Sequence, residues 1–310
     1  MTPKNQQTTN TILLIEPVAF GYNAETAANN YFMRVPDEPA GRIQDKALAE
    51  FRDMVALLRS AGIKVIVERD TPEPVTPDSI FPNNWVSFHE RGTAVLYPMY
   101  AESRRNERQL DIFNRLESEG FTFPEIIDLC MYEQQRMFLE GTGSMVLDRE
   151  NRIAYAALSE RTNARVFREF CNQLEYEAVS FTARQQVGNQ RLAIYHTNVV
   201  MSVAEQFAIV CMDAIDNPAE RKQLVDRLRS CGKEVIEITE EQLHRYAGNM
   251  LQLKNERGKL KLVMSGSAYA SLRPEQISRL GFYTDLLVCD VPTIEKYGGG
   301  SVRCMIAEIF

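Results

Sequence analysis

Apolar and polar positions follow two different periods along the chain. The segment "DKALAEFRDMVALLRSAG" has apolar residues at helical spacing and ends at Gly62, and the β-branched run "IKVIVE" after it predicts a strand. The next stretch, "NWVSFHERGTAVLYP", predicts two short strands around the polar turn "HERG". These alternating helices and strands predict an α/β fold.

The two-strand unit recurs along the chain. Further copies are "SMVLDRENRIAYAA", "NVVMSVAEQFAIVC" and "NMLQLKNERGKLKLVMS", and a fifth is predicted across the termini, where "SVRCMIAEIF" supplies one strand and "TILLIEP" pairs with it. A period of roughly fifty-five residues predicts repeats that close into a ring, as one domain over residues 1–310. The alternative is an α/β sheet whose units look alike only because helices and strands alternate. The predicted units start at Asn84, Gly143, Asn198, Asn249 and Ser301.

Composition limits the partners. The chain has 310 residues, of which 45% are hydrophobic, and 35 basic against 42 acidic residues give a net charge of -7. This charge provides no attraction for nucleic acid or an anionic membrane, so a small-molecule partner is predicted. No apolar run approaches the ~20 residues of a membrane span, and the start "MTPKNQQTTN" lacks the apolar core of a signal peptide. A cytoplasmic protein is therefore expected, and a homo-oligomer is compatible with the sequence.

The six cysteines include no C-x-x-C pair, and only three histidines could join them, which argues against zinc; no metal or other cofactor is expected. Cys211 and Cys289 lie in apolar runs and are predicted to be buried hydrophobic residues. Cys304 instead follows three glycines and a basic residue, where the backbone can bring a side chain close to a ligand. His89 and His244 lie in polar segments and are predicted at the surface.

A ring of repeats would bring the starts of the hairpins to a common centre. Cys304, His196 and Glu140 lie near three of these starts. An ionised thiol is a nucleophile, a histidine carries protons near neutral pH, and a carboxylate can orient the histidine. Three alternatives remain open: a core position for His196, a surface turn for Glu140, and a "GGG" loop that binds no ligand.

The ordered motifs "FPNNW", "LEGTGS", "YHTN" and "GGGSVRCM" resemble those of the superfamily of amidinotransferases, arginine deiminases and dimethylarginine hydrolases. The resemblance covers nearly the whole chain and is nearest to the amidinotransferase-like hydrolases grouped with citrulline utilisation. It implies the pentein fold, a five-bladed α/β propeller of ββαβ units. The pairing of the N- and C-terminal strands would close this propeller.

The resemblance also implies a role for each candidate. Cys304 would attack the central carbon of a guanidino or ureido group, and a covalent intermediate would form as ammonia or an amine departs. His196 would protonate the leaving nitrogen and then activate water, and Glu140 would hold the planar substrate group and assist the histidine. Phe81 would stack on the planar carbon, unless it is an ordinary core phenylalanine.

Two departures from the family pattern bear on the substrate. Asn84 and Asn198 stand where arginine deiminases have aspartates, and an amide suits a neutral carbonyl better than a carboxylate does. The hypothesis is a ureido substrate such as citrulline, which would yield ornithine, carbon dioxide and ammonia, or a modified arginine. A guanidino substrate stays open, because succinylarginine dihydrolases also have asparagines near their site.

Other assignments are left as alternatives. Residues 16–34 form either a lid over the site or a plain connecting loop. Either Arg34 or Arg303 would bind the carboxylate of the substrate. Two other functions share this fold: an amidinotransferase, in which an amine replaces water, and a non-catalytic binding protein like a ribosome-binding translation factor.

Overall fold

The computed structural model describes residues 5–310. The first four positions of the predicted domain, and of the stretch considered for a signal peptide, lie outside this range. Within it the strands form five three-stranded sheets and one separate two-stranded hairpin. One sheet joins the two ends of the chain and contains Ala307–Ile309, Thr11–Glu16 and Lys64–Arg69. The next two sheets along the chain contain Val86–His89, Thr93–Leu96 and Glu125–Asp128, and Val146–Asp148, Ile153–Ala157 and Glu177–Phe181. The last two contain Met201–Val203, Phe207–Cys211 and Glu234–Ile238, and Leu251–Lys254, Leu260–Ser265 and Asp285–Cys289. The separate hairpin consists of Arg184–Val187 and Gln190–Ala193.

Each of the five sheets has the same connectivity. The first two strands pair antiparallel, and the third strand pairs parallel with the second after a helical crossover. The four hairpins predicted within the chain are thereby confirmed. In the sheet that joins the two ends of the chain, Thr11 lies opposite Ile309, and the strand Thr11–Glu16 pairs in parallel with Lys64–Arg69. Five units of the ββαβ type result.

The α-helices lie in the connections between successive strands. The crossover helix Ala40–Ser60 buries Ile43, Phe51 and Leu58 against its sheet, as its apolar periodicity predicts. The other α-helices are Ala24–Ala27, Glu102–Arg105, Ile112–Ser118, Gly141–Ser144, Ala164–Gln173, Thr197–Val200, Pro218–Ser230, Glu240–Leu243, Gly266–Ser271, Pro274–Tyr283 and Pro292–Gly298. The 3-10 helices are Pro82–Asn84, Glu90–Gly92, Cys130–Gln135, Met212–Ala214 and Val302–Met305.

Short helical turns stand directly before the first strands of four sheets and carry the candidate chemistry. The turns are Pro82–Asn84, Gly141–Ser144, Thr197–Val200 and Val302–Met305, and neighbouring turns contact one another. The prediction that "SVRCMIAEIF" is a strand throughout is wrong in its first half. Cys304 lies in a helical turn, because the backbone N–H of Cys304 donates to the carbonyl of Ser301, and the strand begins only at Ala307.

The surface position predicted for His89 is also wrong. His89 is the last residue of the buried strand Val86–His89, and its ring contacts the hydroxyl of Ser87 at 2.7 Å and the guanidinium of Arg149 at 3.2 Å. The turn that the polar letters indicate begins only one residue later. His244 is exposed as predicted, and Cys211 and Cys289 are buried as predicted. No helix among residues 5–310 combines the length and apolar composition needed to cross a bilayer.

Candidate active site

Cys304 follows a glycine-rich loop that has no room for side chains. The ring of Phe81 packs so closely that a Cβ atom at Gly298 or Gly300 would lie 2.9 Å from one of its carbons. Glycine is therefore required at both positions by the close approach of this ring. The loop leads into Val302–Met305 and places the Cys304 side chain, which is only 3% exposed, at the wall of a cavity.

This cavity encloses about 270 Å³ of space free of protein atoms. It brings together residues from the loops and short helices that connect the strands, including two from residues 16–34. It is lined by Thr26, Asn30, Asp78, Phe81, Asn84, Arg104, Arg161, Tyr195, His196, Gly298, Gly299, Gly300 and Cys304. We call it the Cys304 cavity.

Two asparagine amides contact the sulfur. The Nδ2 atom of Asn249 lies 3.3 Å from Sγ of Cys304, and that of Asn198 lies 3.6 Å from it. Burial raises the pKa of the Cys304 thiol, while the Ser301 backbone contact, both amides and the Arg303 guanidinium act in the opposite direction. Amide donors stabilise a thiolate more than a thiol, so these contacts favour the nucleophilic form once the proton leaves.

His196 and Glu140 form a buried pair. The Nε2 atom of His196 lies 2.7 Å from Oε2 of Glu140, and Oε1 of Glu140 accepts a hydrogen bond from the Tyr100 backbone. Burial alone would raise the pKa of the Glu140 carboxyl, but Arg161, His196 and Arg104 outweigh it and hold that pKa below its usual range. Burial lowers the pKa of His196 more than Glu140 raises it. The pair is therefore a carboxylate and a neutral imidazole whose proton sits on Nε2.

A network of charged groups closes one side of the cavity. Arg104 makes two hydrogen bonds of 2.9 Å to Glu107 and donates through Nη1 to Oδ1 of Asn84 at 2.8 Å. Asp78 lies 3.8 Å from Arg104, and its Oδ2 accepts from Asn23. Its Oδ1 is buried without a hydrogen-bond partner, and burial raises the pKa of this carboxyl. Asp78 thus retains one oxygen that can accept a hydrogen bond.

Residues 16–34, which include the short helix Ala24–Ala27, contribute Thr26 and Asn30 to the lining of the cavity. Arg161 donates to the carbonyl of Thr26 at 2.7 Å and to Oδ1 of Asn29 at 2.8 Å. The amide of Asn30 donates to the carbonyl of Gly299 at 3.1 Å. The segment is therefore tied both to a cavity arginine and to the loop that precedes the cysteine.

The predicted residues come together, with two differences in placement. Cys304, His196, Asn84 and Phe81 line the Cys304 cavity, and Phe81 belongs to the buried core as well. Glu140 does not line the cavity: it lies behind His196, because its carboxylate is enclosed by Arg161 and the Tyr100 backbone. Asn198 contacts Sγ but lines a different cavity together with Arg303.

Neither arginine proposed for the substrate carboxylate reaches the Cys304 cavity. Arg303 donates to the carbonyl of Ile306 and to Glu308, and Arg34 is exposed on another cleft. Arg104 and Arg161 line the cavity instead, and sequence reasoning missed both of them. It also missed Asp78 and Asn249.

The sequence contained a signal for one of the residues that were missed. Asn249 stands at the start of a repeat unit, the position that carries the other site residues, and this signal could have identified it. Arg104 lies in "ESRRNE" and Arg161 in "SERTN", which are typical of surface segments. No three His, Cys, Asp or Glu side chains within the described range are grouped so that they could hold a metal ion.

Comparison with known proteins yields one family and several structures. The model of the family described as "N,N dimethylarginine dimethylhydrolase, eukaryotic" matches residues 16–310. No curated protein sequence matches the chain.

The solved structures are distant in sequence. ArgZ, a cyanobacterial arginine dihydrolase of the ornithine-ammonia cycle, aligns at a TM-score of 0.74 and 16% identity over 96% of this chain and 40% of its own. Its N-terminal domain alone, bound to substrate, aligns at 0.73 and 16% over 96% of this chain and 97% of that domain. A dimethylarginine dimethylhydrolase from Pseudomonas aeruginosa, complexed with citrulline, aligns at 0.65 and 17% over 98% and 100%. The chain thus spans about 40% of full-length ArgZ, and these likenesses establish a shared mixed α/β fold of the pentein type.

Proposed function

The chain belongs to the N,N dimethylarginine dimethylhydrolase family, within the pentein superfamily of guanidine-modifying enzymes, and from this premise we propose a cysteine-dependent hydrolase. Its substrate is the guanidino or ureido group of an arginine-related amino acid. The observation that carries the proposal is the joint placement of Cys304 and His196 on one buried cavity, with the Glu140 carboxylate 2.7 Å from the imidazole.

The proposed reaction uses one proton relay. The Cys304 thiol gives its proton to His196, and Sγ forms a bond to the central carbon of the substrate group. The imidazolium of His196 then returns this proton to the leaving nitrogen, whose bond to the central carbon breaks as ammonia or an amine departs. Water, deprotonated by His196, then breaks the bond to sulfur. A histidine that is neutral at rest can accept a proton in this cycle, and the ionised Glu140 stabilises the imidazolium that forms.

The charged side of the Cys304 cavity suits the other end of an amino acid. Arg104 and Arg161 supply guanidinium groups for an α-carboxylate, and the free Oδ1 of Asp78 can accept from an α-ammonium group. The planar guanidino or ureido group at the opposite end of the substrate would then lie toward Cys304 and Phe81. This arrangement replaces both Arg34 and Arg303 as the proposed carboxylate ligands.

Citrulline is the specific substrate that we favour. Of the described residues that line the cavity, only Asp78 is a carboxylate, whereas two are arginines. Asn84 occupies the place of a deiminase aspartate, and its Oδ1 is taken by Arg104. A neutral ureido group avoids the repulsion that a third guanidinium cation would meet beside these two arginines.

The proposal extends to the architecture of the fold and to the cellular compartment of the protein. The five ββαβ sheets are the blades of one closed propeller and form a single catalytic domain; in support, the first strands Ala307–Ile309 and Val86–His89 contact each other, as do Val146–Asp148 and Met201–Val203. All six cysteines are free thiols, which supports a reducing, cytoplasmic setting.

Release of ammonia tests the function. The purified chain is offered citrulline, arginine, agmatine, methylated arginines and succinylarginine, with Cys304→Ala as the control. We expect ornithine and ammonia from citrulline, and none from the Cys304→Ala variant. Transfer to added glycine without ammonia would instead identify an amidinotransferase. No turnover on any of these compounds would contradict the enzymatic proposal and favour a binding protein.

A further inference from the structure

A second and larger cleft lies beside residues 16–34. It holds about 1200 Å³ of space free of protein atoms, against about 270 Å³ for the Cys304 cavity, and no residue lines both. It is lined by Tyr31, Phe32, Arg34, Gln185, Gln186, Val187, Gly188, His244, Arg245, Tyr246, Ser267, Pro292, Glu295 and Lys296. We call it the outer cleft. The hairpin of Arg184–Val187 and Gln190–Ala193, which is separate from the five sheets, supplies part of its wall.

Gln185, one of the residues that line the outer cleft, has a side-chain donor without a partner. Its side chain is 1% exposed, and Oε1 accepts a hydrogen bond from Nε2 of His244 at 3.1 Å. The Nε2 amide group of Gln185 is buried and has no hydrogen-bond partner. Buried amide donors are usually paired in folded proteins, and Gln185 is the residue with such an unpaired buried atom that also lines the outer cleft, where a ligand can supply the acceptor.

Two cations of the outer cleft make no close ion pair, although Arg245 acts on the Glu295 carboxylate and lowers its pKa against the effect of burial. Arg34 and Arg245 are exposed and have no ion-pair partner within residues 5–310. Lys296, by contrast, is paired with Asp37 at 2.7 Å. The Glu295 carboxylate accepts hydrogen bonds from the hydroxyls of Ser301, at 2.6 Å, and Ser267. The amide donor of Gln185 and the two arginine side chains therefore remain available to an anion.

An aromatic wall completes the site. The rings of Phe32 and Tyr246 lie 5.2 Å apart, and Tyr31 lies beside them in the sequence and on the cleft. The hydroxyl of Tyr246 is directed away to the carbonyl of Glu295 at 3.1 Å. Phe32 and Tyr246 are only 9% and 5% exposed, and the parts of them that line the outer cleft add apolar wall beside the donors, as in small-molecule sites.

We propose that the outer cleft binds a small organic anion whose carboxylate or phosphate group is held by Gln185, Arg34 and Arg245. The carbon skeleton of the anion packs on Phe32 and Tyr246. This site goes beyond the proposed function, because its lining is separate from that of the Cys304 cavity. It is independent of turnover, so its test does not depend on the hydrolase being correct.

Calorimetric titration at constant ionic strength tests the site. The probes are succinate and inorganic phosphate, with chloride as the reference anion. We expect saturable binding of at least one probe. Arg245→Gln and Gln185→Glu should each weaken that binding about tenfold or more, since one removes a charge and the other adds a repelling one at nearly unchanged shape.

Arg257→Gln is the matched control, because Arg257 is exposed in a turn between two strands and is not part of the outer cleft. It should leave the affinity unchanged. Absence of binding for both probes would overturn the proposal. So would binding that Arg245→Gln and Gln185→Glu leave at the affinity of the Arg257→Gln control, which would indicate a different site.

Discussion

The imidazole of His196 and the carboxylate of Glu140 meet in the interior at 2.7 Å, although 56 positions separate them in the chain. Two helical turns produce this contact: Gly141–Ser144 begins directly after Glu140, and Thr197–Val200 begins directly after His196. Because the turns occupy equivalent places in consecutive repeat units and touch, the residue before each turn faces its counterpart. The pairing of the two side chains is thus a consequence of the repeat.

Glu140→Gln should reduce turnover severely. The amide keeps the shape but removes the charge that stabilises an imidazolium, and it leaves Arg161 without its carboxylate neighbour. We expect kcat for ammonia release to fall about 10²–10⁴-fold, the range in which general acid-base groups act. Glu256→Gln, at an exposed glutamate, is the control and should keep the original kcat. Retained activity in Glu140→Gln would show that the buried pair is structural only.

The two buried histidines should make stability depend on pH. Burial lowers the pKa of His89 well below its ordinary value of 6.5, and it lowers that of His196 as well. Above pH 6.5 both rings are neutral in the folded and the unfolded chain, so they contribute no pH dependence. Below pH 6.5 the unfolded chain takes up protons that the folded chain refuses, so the free energy of unfolding falls as the pH falls, by about 1.4 kcal/mol per pH unit for each histidine.

Urea unfolding between pH 7 and pH 5 measures this slope. In His89→Gln the fall in the free energy of unfolding with pH should be smaller by the contribution of one histidine, about 1.4 kcal/mol per pH unit. His244→Gln, at an exposed histidine, should keep the original slope because both buried rings remain. An identical slope in His89→Gln and the unsubstituted chain would contradict the assignment of His89 as a buried neutral ring.

The repeat could be predicted from the sequence because its signals are local. Each hairpin has alternating apolar residues around a polar turn, and each crossover helix has its own apolar face. The helical turn at Cys304 could not be predicted in this way. The run "VRCMIAEIF" has the composition of a strand, and only the bond from the Cys304 N–H to Ser301, with the packing of the loop on Phe81, fixes its helical start.

The two arginines of the site could not be predicted from the sequence for a different reason. Arg104 and Arg161 have the sequence surroundings of solvent-exposed side chains, yet both are 2% exposed. Arg104 has one charged partner nearby in the chain, Glu107, but also pairs with Asp78. Arg161 pairs with Glu140, 21 positions away, and donates to Asn29. Except for Glu107, the compensation of these buried charges is a tertiary property that no local pattern records.

Gly143→Ala should impair catalysis more than folding. A Cβ atom at Gly143 would lie 2.5 Å from Nδ2 of Asn84 and 2.8 Å from Nδ1 of His196, so one of these site residues must move. We expect kcat to fall about 10²-fold, as a displacement of about 1 Å can cause, and the free energy of unfolding to fall by about 1–3 kcal/mol.

Gly281→Ala is the matched control for Gly143→Ala. Gly281 lies in the helix Pro274–Tyr283 with no atom within 4 Å of the added Cβ, so activity should be unchanged and stability equal or slightly higher. Steady-state kinetics and urea unfolding of both variants provide the comparison. Unchanged kcat in Gly143→Ala would mean that the positions of His196 and Asn84 are not critical.

Asp78→Asn should impair recognition of the substrate rather than the chemistry. If the free Oδ1 of Asp78 accepts from the α-ammonium group, the amide loses a charge-assisted bond in the substrate complex. We expect the KM for citrulline to rise about tenfold or more with a smaller change in kcat. The analogue 5-ureidopentanoate, which lacks the α-amino group, should react with the variant and the unsubstituted enzyme at similar kcat/KM. An equal loss on both substrates would mean that Asp78 only supports Arg104, whereas Asp53→Asn, at an exposed position, should change neither value.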